Sequence, residues 1–251
     1  MVDDTFSRNE LIWGCDNQKL LSEKHVAVIG LGGVGGYAVE ALARAGIGEF
    51  TIVDFDIVSK SNINRQLIAL NSTIGQKKTG LFTQRLKDIN PLVKINDIDS
   101  FYTEDLNNII FSKKIDYVID AIDTVKSKIQ LLEYCYNHKI PVITSLGAGN
   151  RLDPTKLCIK NIKDVQKNKC NFVTNIIKTL DKKNIRGGID VIISEEIPKS
   201  KNNIKNIECI KTNNGEKIEF TKVSPGSVIF VPAVAGYYLA YQVINSILCQ
   251  N

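Results

Sequence analysis

An apolar run near the start of the chain leads directly into a cluster of glycines. Residues 26–30 have the continuous apolar pattern of a strand buried in a parallel sheet. Residues 34–45 have the pattern of a small-residue helix, and residues 50–54 that of a second strand, which ends at Asp54. The glycines between the first strand and the helix are Gly30, Gly32, Gly33 and Gly35. A G-x-G-x-x-G motif in this position predicts a βαβ unit that binds a nucleotide.

The chain continues with strand-like and helix-like segments in alternation. Helices are predicted at residues 77–90, 126–137 and 172–183, and strands at 94–98, 115–119, 142–145 and 189–193. This alternation predicts an α/β fold with a Rossmann-like, doubly wound, mostly parallel sheet. In such a sheet, right-handed crossovers place ligands at the carboxyl ends of the strands.

No repeat or linker divides the chain, so we predict a single domain over residues 1–251. It comprises a nucleotide-binding core over about residues 20–160, a basic insertion over about 161–222, and a C-terminal strand and helix over 223–251. Within the C-terminal part, we predict a solvated loop at residues 200–217, a short strand at 228–231 and a final helix at 232–249.

Composition and charge narrow the class of protein. The chain has 251 residues, of which 43% are hydrophobic and 24% charged, which excludes a disordered, collagen-like or coiled-coil protein. Residues 151–222 carry 16 Lys or Arg against 9 Asp or Glu, whereas the remainder carries 16 against 18. The basic excess is therefore local. On charge alone it fits either a polyanionic partner or a solvated surface.

Cysteine and histidine offer little material for catalysis or metal binding. The six cysteines form no Cys-x-x-Cys pair, so we expect free thiols, no zinc and a reducing, cytoplasmic location. Cys170, in a Lys-flanked segment, is a candidate reactive thiol. The first residues lack the pattern of a secretion signal. The uncharged stretch after Lys222 is long enough to span a membrane, but Pro225-Gly226 and Pro232 favour a strand and a core or interface helix.

Polar residues that follow Asp54 identify the class of nucleotide. Asp54 is placed to accept hydrogen bonds from a ribose, but the glycine motif alone leaves a nicotinamide dinucleotide and a nucleoside triphosphate open. The residues that follow favour the triphosphate, because cations and amides can neutralise and hold its phosphates. The cations and amides are Asn62, Asn64, Arg65, Gln66 and Lys78, and a second acid, Asp56, lies among them.

Two acids end the strand predicted at residues 115–119. Asp120 and Asp123 could hold Mg²⁺ opposite the phosphates, or could instead cap the helix that begins near Val125. The sequence alone leaves both interpretations open.

These segments together resemble the motifs of the ThiF-like adenylating superfamily, which includes the ubiquitin-activating, molybdopterin-synthase-activating and thiamine-sulfur-carrier-activating enzymes. The motifs are Gly30-x-Gly-Gly-x-Gly, Asp54-x-Asp56, Ser61-Asn-Ile-Asn-Arg-Gln66, Gly75-Gln-x-Lys78 and Asp120-Ala-Ile-Asp123. The resemblance implies that Asp54 binds the ribose, Arg65 and Lys78 the phosphates of ATP, and Asp123 Mg²⁺. It places Asn62 beside the nucleotide. It also implies a homodimer, in which Arg8 reaches the phosphates of the neighbouring protomer.

The branch of the superfamily is indicated by segments outside the nucleotide motifs. Residues 119–128, 140–150, 152–155 and 225–236 resemble the tRNA threonylcarbamoyladenosine dehydratases. The resemblance implies ATP-dependent cyclisation of threonylcarbamoyladenosine next to the tRNA anticodon, and it favours RNA contact by the basic segment. The alternative is adenylation of the C-terminal diglycine of a ubiquitin-like sulfur-carrier protein. Members with that activity usually carry two zinc-binding Cys-x-x-Cys pairs, which this chain lacks.

Overall fold

A seven-stranded sheet forms the centre of the protein. The structure is a computed structural model that describes residues 4–166, 170–199, 203–211 and 217–249. Its strands are β1 (His25–Ile29), β2 (Glu49–Asp54), β3 (Lys94–Asp99), β4 (Tyr117–Asp120), β5 (Val142–Leu146), β6 (Leu157–Asn161) and β7 (Asp190–Ser194). The strand order is β3-β2-β1-β4-β5-β7-β6, and β6 alone runs antiparallel to its neighbour. The predicted doubly wound, mostly parallel sheet is confirmed.

Helices cover both faces of this sheet. They are α1 (Ser7–Trp13), α2 (Cys15–Ser22), α3 (Gly35–Arg44), α4 (Lys78–Ile89), α5 (Asn107–Ile110), α6 (Val125–Asn137), α7 (Asn171–Lys182) and α8 (Phe230–Leu248). One apolar core lies under α2, α3, α4 and α8, and a second lies under α5, α6 and α7. Because the chain builds outward from β1 first to β2 and β3 and then to β4 and β5, the order reverses between β1 and β4. A crevice is expected at their carboxyl ends.

The final helix crosses closely over α3. A Cβ on Gly236 would lie 2.4 Å from the carbonyl oxygen of Val34 and 2.8 Å from the Cβ of Tyr37, so this position accepts only glycine. The crossing brings the first turn of α8, with Pro232, beside the glycine-rich loop. Among the described residues, no helix combines the length and the apolar character that a membrane span requires.

Two predicted elements near the C-terminus are wrong. Within the loop predicted at residues 200–217, a strand β8 (Asn203–Lys211) pairs antiparallel with β9 (Lys217–Pro225) in a separate two-stranded sheet. Residues 200–202 and 212–216 of that prediction lie outside the described residues. The strand predicted at 228–231 is absent from the described chain, because α8 begins at Phe230 with Pro232 in its first turn.

Candidate functional site

Two glycines of the loop after β1 are required by the packing of the chain itself. Gly30 has a φ of +95°, and a Cβ there would lie 2.8 Å from the carbonyl oxygen of Ala121. A Cβ on Gly35 would lie 1.8 Å from the carbonyl oxygen of Gly30. These two positions let the loop turn sharply between β1 and α3.

The other two glycines are not required by the packing of the chain. A Cβ on Gly32 would meet nothing nearer than the Gln66 Nε2 at 3.9 Å, and one on Gly33 would make ordinary contacts of 3.4 Å with Arg65. The chain therefore does not exclude a side chain at either position. Glycine here leaves backbone N–H groups at the start of α3 open to a close-lying anion, as phosphate-binding loops require.

Gln66 adds a second sign of a ligand beside this loop. The residue is buried, and its Oε1 is a buried atom with no hydrogen-bond partner. An unsatisfied buried acceptor is costly. A hydroxyl or amino donor on a bound nucleotide would satisfy it, so the open glycines and the Gln66 acceptor both fit an occupant at this position.

Asp54, the predicted ribose ligand, braces the loop. One carboxylate oxygen accepts from the Leu31 backbone N–H at 2.6 Å, and the other accepts from that of Asp56 at 2.8 Å. Burial raises the pKa of Asp54 above its ordinary value, although Lys78 opposes the rise. Each oxygen keeps a further lone pair, so the geometry leaves Asp54 able to accept from a sugar hydroxyl.

Lys78 lies directly behind Asp54, in the first turn of α4. Its ammonium is 2.8 Å from Asp56 Oδ2 and 4.0 Å from Asp54 Oδ1, and its side chain is only 3% exposed. The structure thus brings the predicted phosphate cation to the two acids of the Asp-x-Asp motif. A phosphate contact by Lys78 stays a prediction.

The Asn-rich segment after Asp56 holds Arg65 against the glycine loop. The Arg65 Nη1 donates to the Ser61 carbonyl at 2.9 Å and to the Asn64 Oδ1 at 2.8 Å. Partial burial lowers the pKa of Arg65, whereas the negative charge of Asp123 opposes that change. Asn62 accepts locally, from the Ser59 backbone N–H at 3.1 Å. Arg65 therefore lies within electrostatic reach of Asp123, which comes from another strand.

The two acids after β4 have different environments. Asp120 is fully buried and accepts hydrogen bonds from the Ile122 backbone N–H, from Lys128 and from Thr144, so the interpretation that it holds Mg²⁺ is wrong. Asp123 is exposed. The capping interpretation is also wrong, because Thr124 occupies the N-cap of α6 and no side chain caps it.

A metal at this site would depend on Asp123 and on a ligand. In the described ranges, no group of three or more His, Cys, Asp or Glu side chains is arranged around a metal position. Mg²⁺ usually takes one or two carboxylates together with substrate phosphates, so a single exposed acid opposite a phosphate loop fits that ion.

Lys128 is a charged residue of the site region to which the sequence motifs assign no role. It is fully buried on α6 and lies 2.6 Å from Asp120 Oδ2. Burial lowers the pKa of Lys128, and Asp120 opposes the change. A signal was present, because Lys128 falls at helical spacing between Val125 and Leu132 on the apolar face of α6.

Arg8 and Cys170 lie away from this cluster. Arg8 is exposed on α1, and its neighbour Asn9 donates to the Arg44 carbonyl at the end of α3. That end lies about 15 Å along the helix from the glycine loop. Cys170 precedes α7 and packs against the core under α5, α6 and α7.

Comparisons with known proteins match almost the whole chain. The model of the ThiF family matches residues 6–250. The tRNA threonylcarbamoyladenosine dehydratase of Bacillus subtilis is 41% identical over 247 residues, which cover 97% of this chain and 94% of that protein. The molybdopterin-synthase adenylyltransferase of Escherichia coli is 35% identical over 138 residues, covering 55% of this chain and 54% of that protein.

A solved structure has the same architecture. The crystal structure of the Escherichia coli tRNA N6-threonylcarbamoyladenosine dehydratase in complex with ATP superposes with a TM-score of 0.83 and 28% sequence identity. The match covers 98% of this chain and 95% of that one.

Proposed function

The chain belongs to the ThiF family and, within it, to the tRNA threonylcarbamoyladenosine dehydratases, and we propose that it catalyses the ATP-dependent cyclisation of threonylcarbamoyladenosine in tRNA. The observation that carries this proposal is the open glycine loop, with the unsatisfied Gln66 acceptor beside it, on a chain similar to such a dehydratase along 97% of its length. The modified base is next to the anticodon.

The residues of the site divide the work of holding ATP. Asp54 accepts from the ribose hydroxyls, and the backbone N–H groups of the glycine loop contact the phosphates. Arg65 and Lys78 supply positive charge to the phosphates. The remaining nucleotide contacts are proposed for Asp56, Asn62 and Gln66.

The chemistry requires activation of a poor electrophile. The threonyl carboxylate attacks the α-phosphorus of ATP, which forms an acyl adenylate and releases pyrophosphate. The carbamoyl group of the same modification then attacks the activated carbonyl carbon and expels AMP, which closes a five-membered ring. The substrate loses one water overall, whose oxygen leaves with AMP. Because the second step is intramolecular, orientation alone can supply up to about 7–11 kcal/mol, and no enzyme nucleophile is required.

Asp123 is the proposed ligand of Mg²⁺, which would neutralise charge on the phosphates when bound. The single exposed carboxylate opposite the glycine loop, within electrostatic reach of Arg65, supports this assignment.

The basic segment is proposed to contact the tRNA. Support comes from exposed cations that have no ion-pair partner among the described residues, in contrast to Lys160 and Lys183, which pair with glutamates. These exposed cations are Lys163, Lys178, Lys182 and Arg186. Clustered positive charge of this kind attracts a phosphate backbone.

A homodimer completes the proposal. α8 exposes Phe230, Tyr237 and Tyr241 at 57%, 47% and 60%, and α1 exposes Leu11 and Ile12 at 83% each. Apolar surface of this extent favours a protein partner. Asn9, the neighbour of Arg8, donates to the Arg44 carbonyl at the end of α3 that is remote from the glycine loop, and this supports an Arg8 contact with the nucleotide of the partner protomer. Both substrates, ATP and tRNA, are consistent with a cytoplasmic enzyme.

Adenylation of the diglycine of a sulfur-carrier protein is the alternative, and it has less support. The similarity to the molybdopterin-synthase adenylyltransferase covers 55% of the chain, against 97% for the dehydratase.

The test is mass analysis of tRNA that carries threonylcarbamoyladenosine, after incubation with the protein, ATP and Mg²⁺. We expect the modified nucleoside to lose the mass of one water while AMP and pyrophosphate appear in equal amounts. Arg65→Ala and Asp123→Ala should each abolish AMP release and leave tRNA binding nearly intact, because neither residue lies in the basic segment.

Two controls distinguish the dehydratase from the alternative. Unmodified tRNA should support no AMP release, and a diglycine-ended carrier protein should not replace modified tRNA. AMP release that depends on the carrier protein would favour the alternative. Turnover equal to wild type in either variant would refute the assignment of the site.

A further inference from the structure

A fully buried polar triad lies immediately behind the candidate site. The side chains of Asp120, Lys128 and Thr144 are all completely inaccessible to solvent. The Lys128 ammonium is 2.6 Å from Asp120 Oδ2 and 2.9 Å from Thr144 Oγ1, and the Thr144 hydroxyl donates to the same Asp120 oxygen at 2.7 Å. The triad joins the end of β4, the first turn of α6 and the middle of β5.

Stability alone is a weak reason for such an arrangement. Moving a carboxylate and an ammonium out of water is costly, and well-packed apolar residues of similar volume are often equally stable. Here the Asp120 carboxylate nevertheless accepts three hydrogen bonds, two at Oδ2 and a third at Oδ1, where the Ile122 backbone N–H donates at 3.0 Å. A buried ion pair with this geometry therefore orients a neighbouring segment of the chain that an apolar cluster would leave without a fixed position.

The element that it orients is the loop of residues 121–124, between β4 and α6. At its start, the Ala121 N–H donates to the Ile29 carbonyl at 2.9 Å and its own carbonyl packs against Gly30. At its end, the Thr124 carbonyl accepts from the Lys128 N–H at 3.0 Å. The hydrogen bond from Ile122 to Asp120 fixes the middle. Asp123 stands on this loop, exposed to solvent and within electrostatic reach of Arg65.

We propose that Asp120, held in place by Lys128 and Thr144, is a positioning residue that sets the location of Asp123 through the Ile122 N–H. This inference rests on the proposed role of Asp123 as the Mg²⁺ ligand. Lys128 and Thr144 fix the orientation of the carboxylate, the carboxylate fixes the loop, and the loop presents Asp123. All three triad side chains are inaccessible to solvent, so we assign them no direct contact with the nucleotide.

Two double variants distinguish the positioning of Asp123 by the triad from an effect of the buried Asp120 and Lys128 charges as such. Asp120→Leu/Lys128→Met removes both charges and also the acceptor for Ile122. Asp120→Asn/Lys128→Met removes both charges but keeps an amide oxygen that can accept from Ile122. The measurement is the affinity of each purified full-length variant for a fluorescent ATP analogue across a Mg²⁺ titration, with AMP release as the second readout.

We expect the leucine variant to need about 10–100-fold more Mg²⁺ for half-maximal binding of the analogue, as when the outer shell of a metal site is removed. Its Mg²⁺-free affinity should be unchanged. The asparagine variant should stay within a fewfold of wild type. A Mg²⁺ requirement that is unchanged in the leucine variant, or raised equally in both, would overturn the proposal.

Three further variants distinguish failure of the triad proposal from misfolding of the leucine variant and from failure of the proposed role of Asp123. Thr144→Val removes one donor to Asp120 and leaves the ion pair, so it should raise the Mg²⁺ requirement severalfold even where the leucine variant does not fold. Glu40→Gln disturbs a different buried acid, which pairs with Arg85 between α3 and α4, and should leave the requirement unchanged. Asp123→Ala should abolish the effect of Mg²⁺. If Mg²⁺ still raises the affinity of Asp123→Ala for the analogue, the proposed role of Asp123 fails. If Asp123→Ala loses its response to Mg²⁺ while the leucine and Thr144→Val variants keep the wild-type Mg²⁺ requirement, only the positioning role of the triad is refuted.

Discussion

The four glycines of the loop after β1 serve two different purposes, and alanine substitution should separate them. Gly35→Ala places a Cβ 1.8 Å from the Gly30 carbonyl oxygen, so the free energy of unfolding should fall by about 3 kcal/mol. Gly32→Ala meets no atom nearer than 3.9 Å, so stability should change by less than about 0.5 kcal/mol. Its ATP affinity should nevertheless fall about tenfold or more, because the methyl group occupies the space for the phosphates.

Urea denaturation and calorimetric titration with ATP measure the two effects independently. Gly80→Ala provides a matched control, since Gly80 is exposed in α4 and a Cβ added there would have no atom within 4 Å. It should leave ATP affinity unchanged and raise stability slightly. Wild-type ATP affinity in Gly32→Ala would contradict the placement of the phosphates on this loop.

At this scale the sequence predicted which residues gather, but not how they pair. The glycine motif, Asp54, Lys78 and Arg65 come together because parallel strands end at one edge of the sheet. The spacing of Asp120 and Asp123 could not distinguish a buried acid from an exposed one. That distinction depends on Lys128 and Thr144, which arrive from α6 and β5, and no local pattern links them to Asp120.

At the scale of elements, an ion-pair cluster ties α3 to α4. Glu40 is buried on α3 and accepts from Arg85 of α4 at 2.6 Å and from Arg44 at 2.8 Å. Burial alone would raise the pKa of Glu40. The hydrogen bonds from the two arginines outweigh burial and hold the pKa below its ordinary value of 4.5.

The lowered pKa predicts how this cluster responds to acid. A carboxylate with a depressed folded-state pKa adds stability above its unfolded pKa, and this contribution is lost as pH falls through the folded value. Glu40→Gln should therefore lower the free energy of unfolding by about 1–2 kcal/mol at pH 7, a modest amount because both arginines are substantially solvated. The difference from wild type should shrink below pH 4.5. Urea denaturation at the two pH values measures it, and a difference independent of pH would contradict the assignment.

Element boundaries were predictable where the apolar pattern was strong. Strand β8 was not, because its isoleucines, at 204, 207 and 210, recur every third residue rather than in the alternation of a half-buried strand. It forms through antiparallel pairing with β9, the next strand along the chain, and that pairing leaves no signal in the residues of β8 taken alone. The β-branched and aromatic residues at 228–231 favoured a strand, but the packing of α8 on α3 extends the helix back to Phe230.

At the scale of the whole molecule, the proposed role of Arg8 would make the site of one protomer incomplete without its partner. The proposed nucleotide residues come from β2, α4 and the loops after β1, β2 and β4, whereas Asn9, the neighbour of Arg8, donates to the Arg44 carbonyl at the opposite end of α3, about 15 Å along that helix from the glycine loop. A two-fold interface that uses the exposed faces of α1 and α8 would be isologous, so each protomer would give its Arg8 and receive that of its partner.

Mixing two inactive variants tests this exchange. In a heterodimer of Arg8→Ala and Asp123→Ala, the first protomer keeps its own Asp123 and receives an intact Arg8 from its partner, whereas the other site lacks both residues. If subunits exchange at random, half the dimers are mixed and each contains one intact site, so AMP release should recover to about a quarter of the wild-type value.

Two further mixtures show which residues act across the interface. Mixing Arg8→Ala with Arg65→Ala should recover equally, because Arg65 acts within its own protomer and the Arg8→Ala protomer again receives an intact Arg8. Mixing Asp123→Ala with Arg65→Ala should give no recovery, because both residues act within their own protomer and neither site of the mixed dimer is then intact. Affinity tags on each variant report whether mixed dimers form. Mixed dimers of Arg8→Ala and Asp123→Ala that form but stay inactive would show that Arg8 acts within its own protomer, whereas wild-type activity of Arg8→Ala alone would show that Arg8 serves neither site.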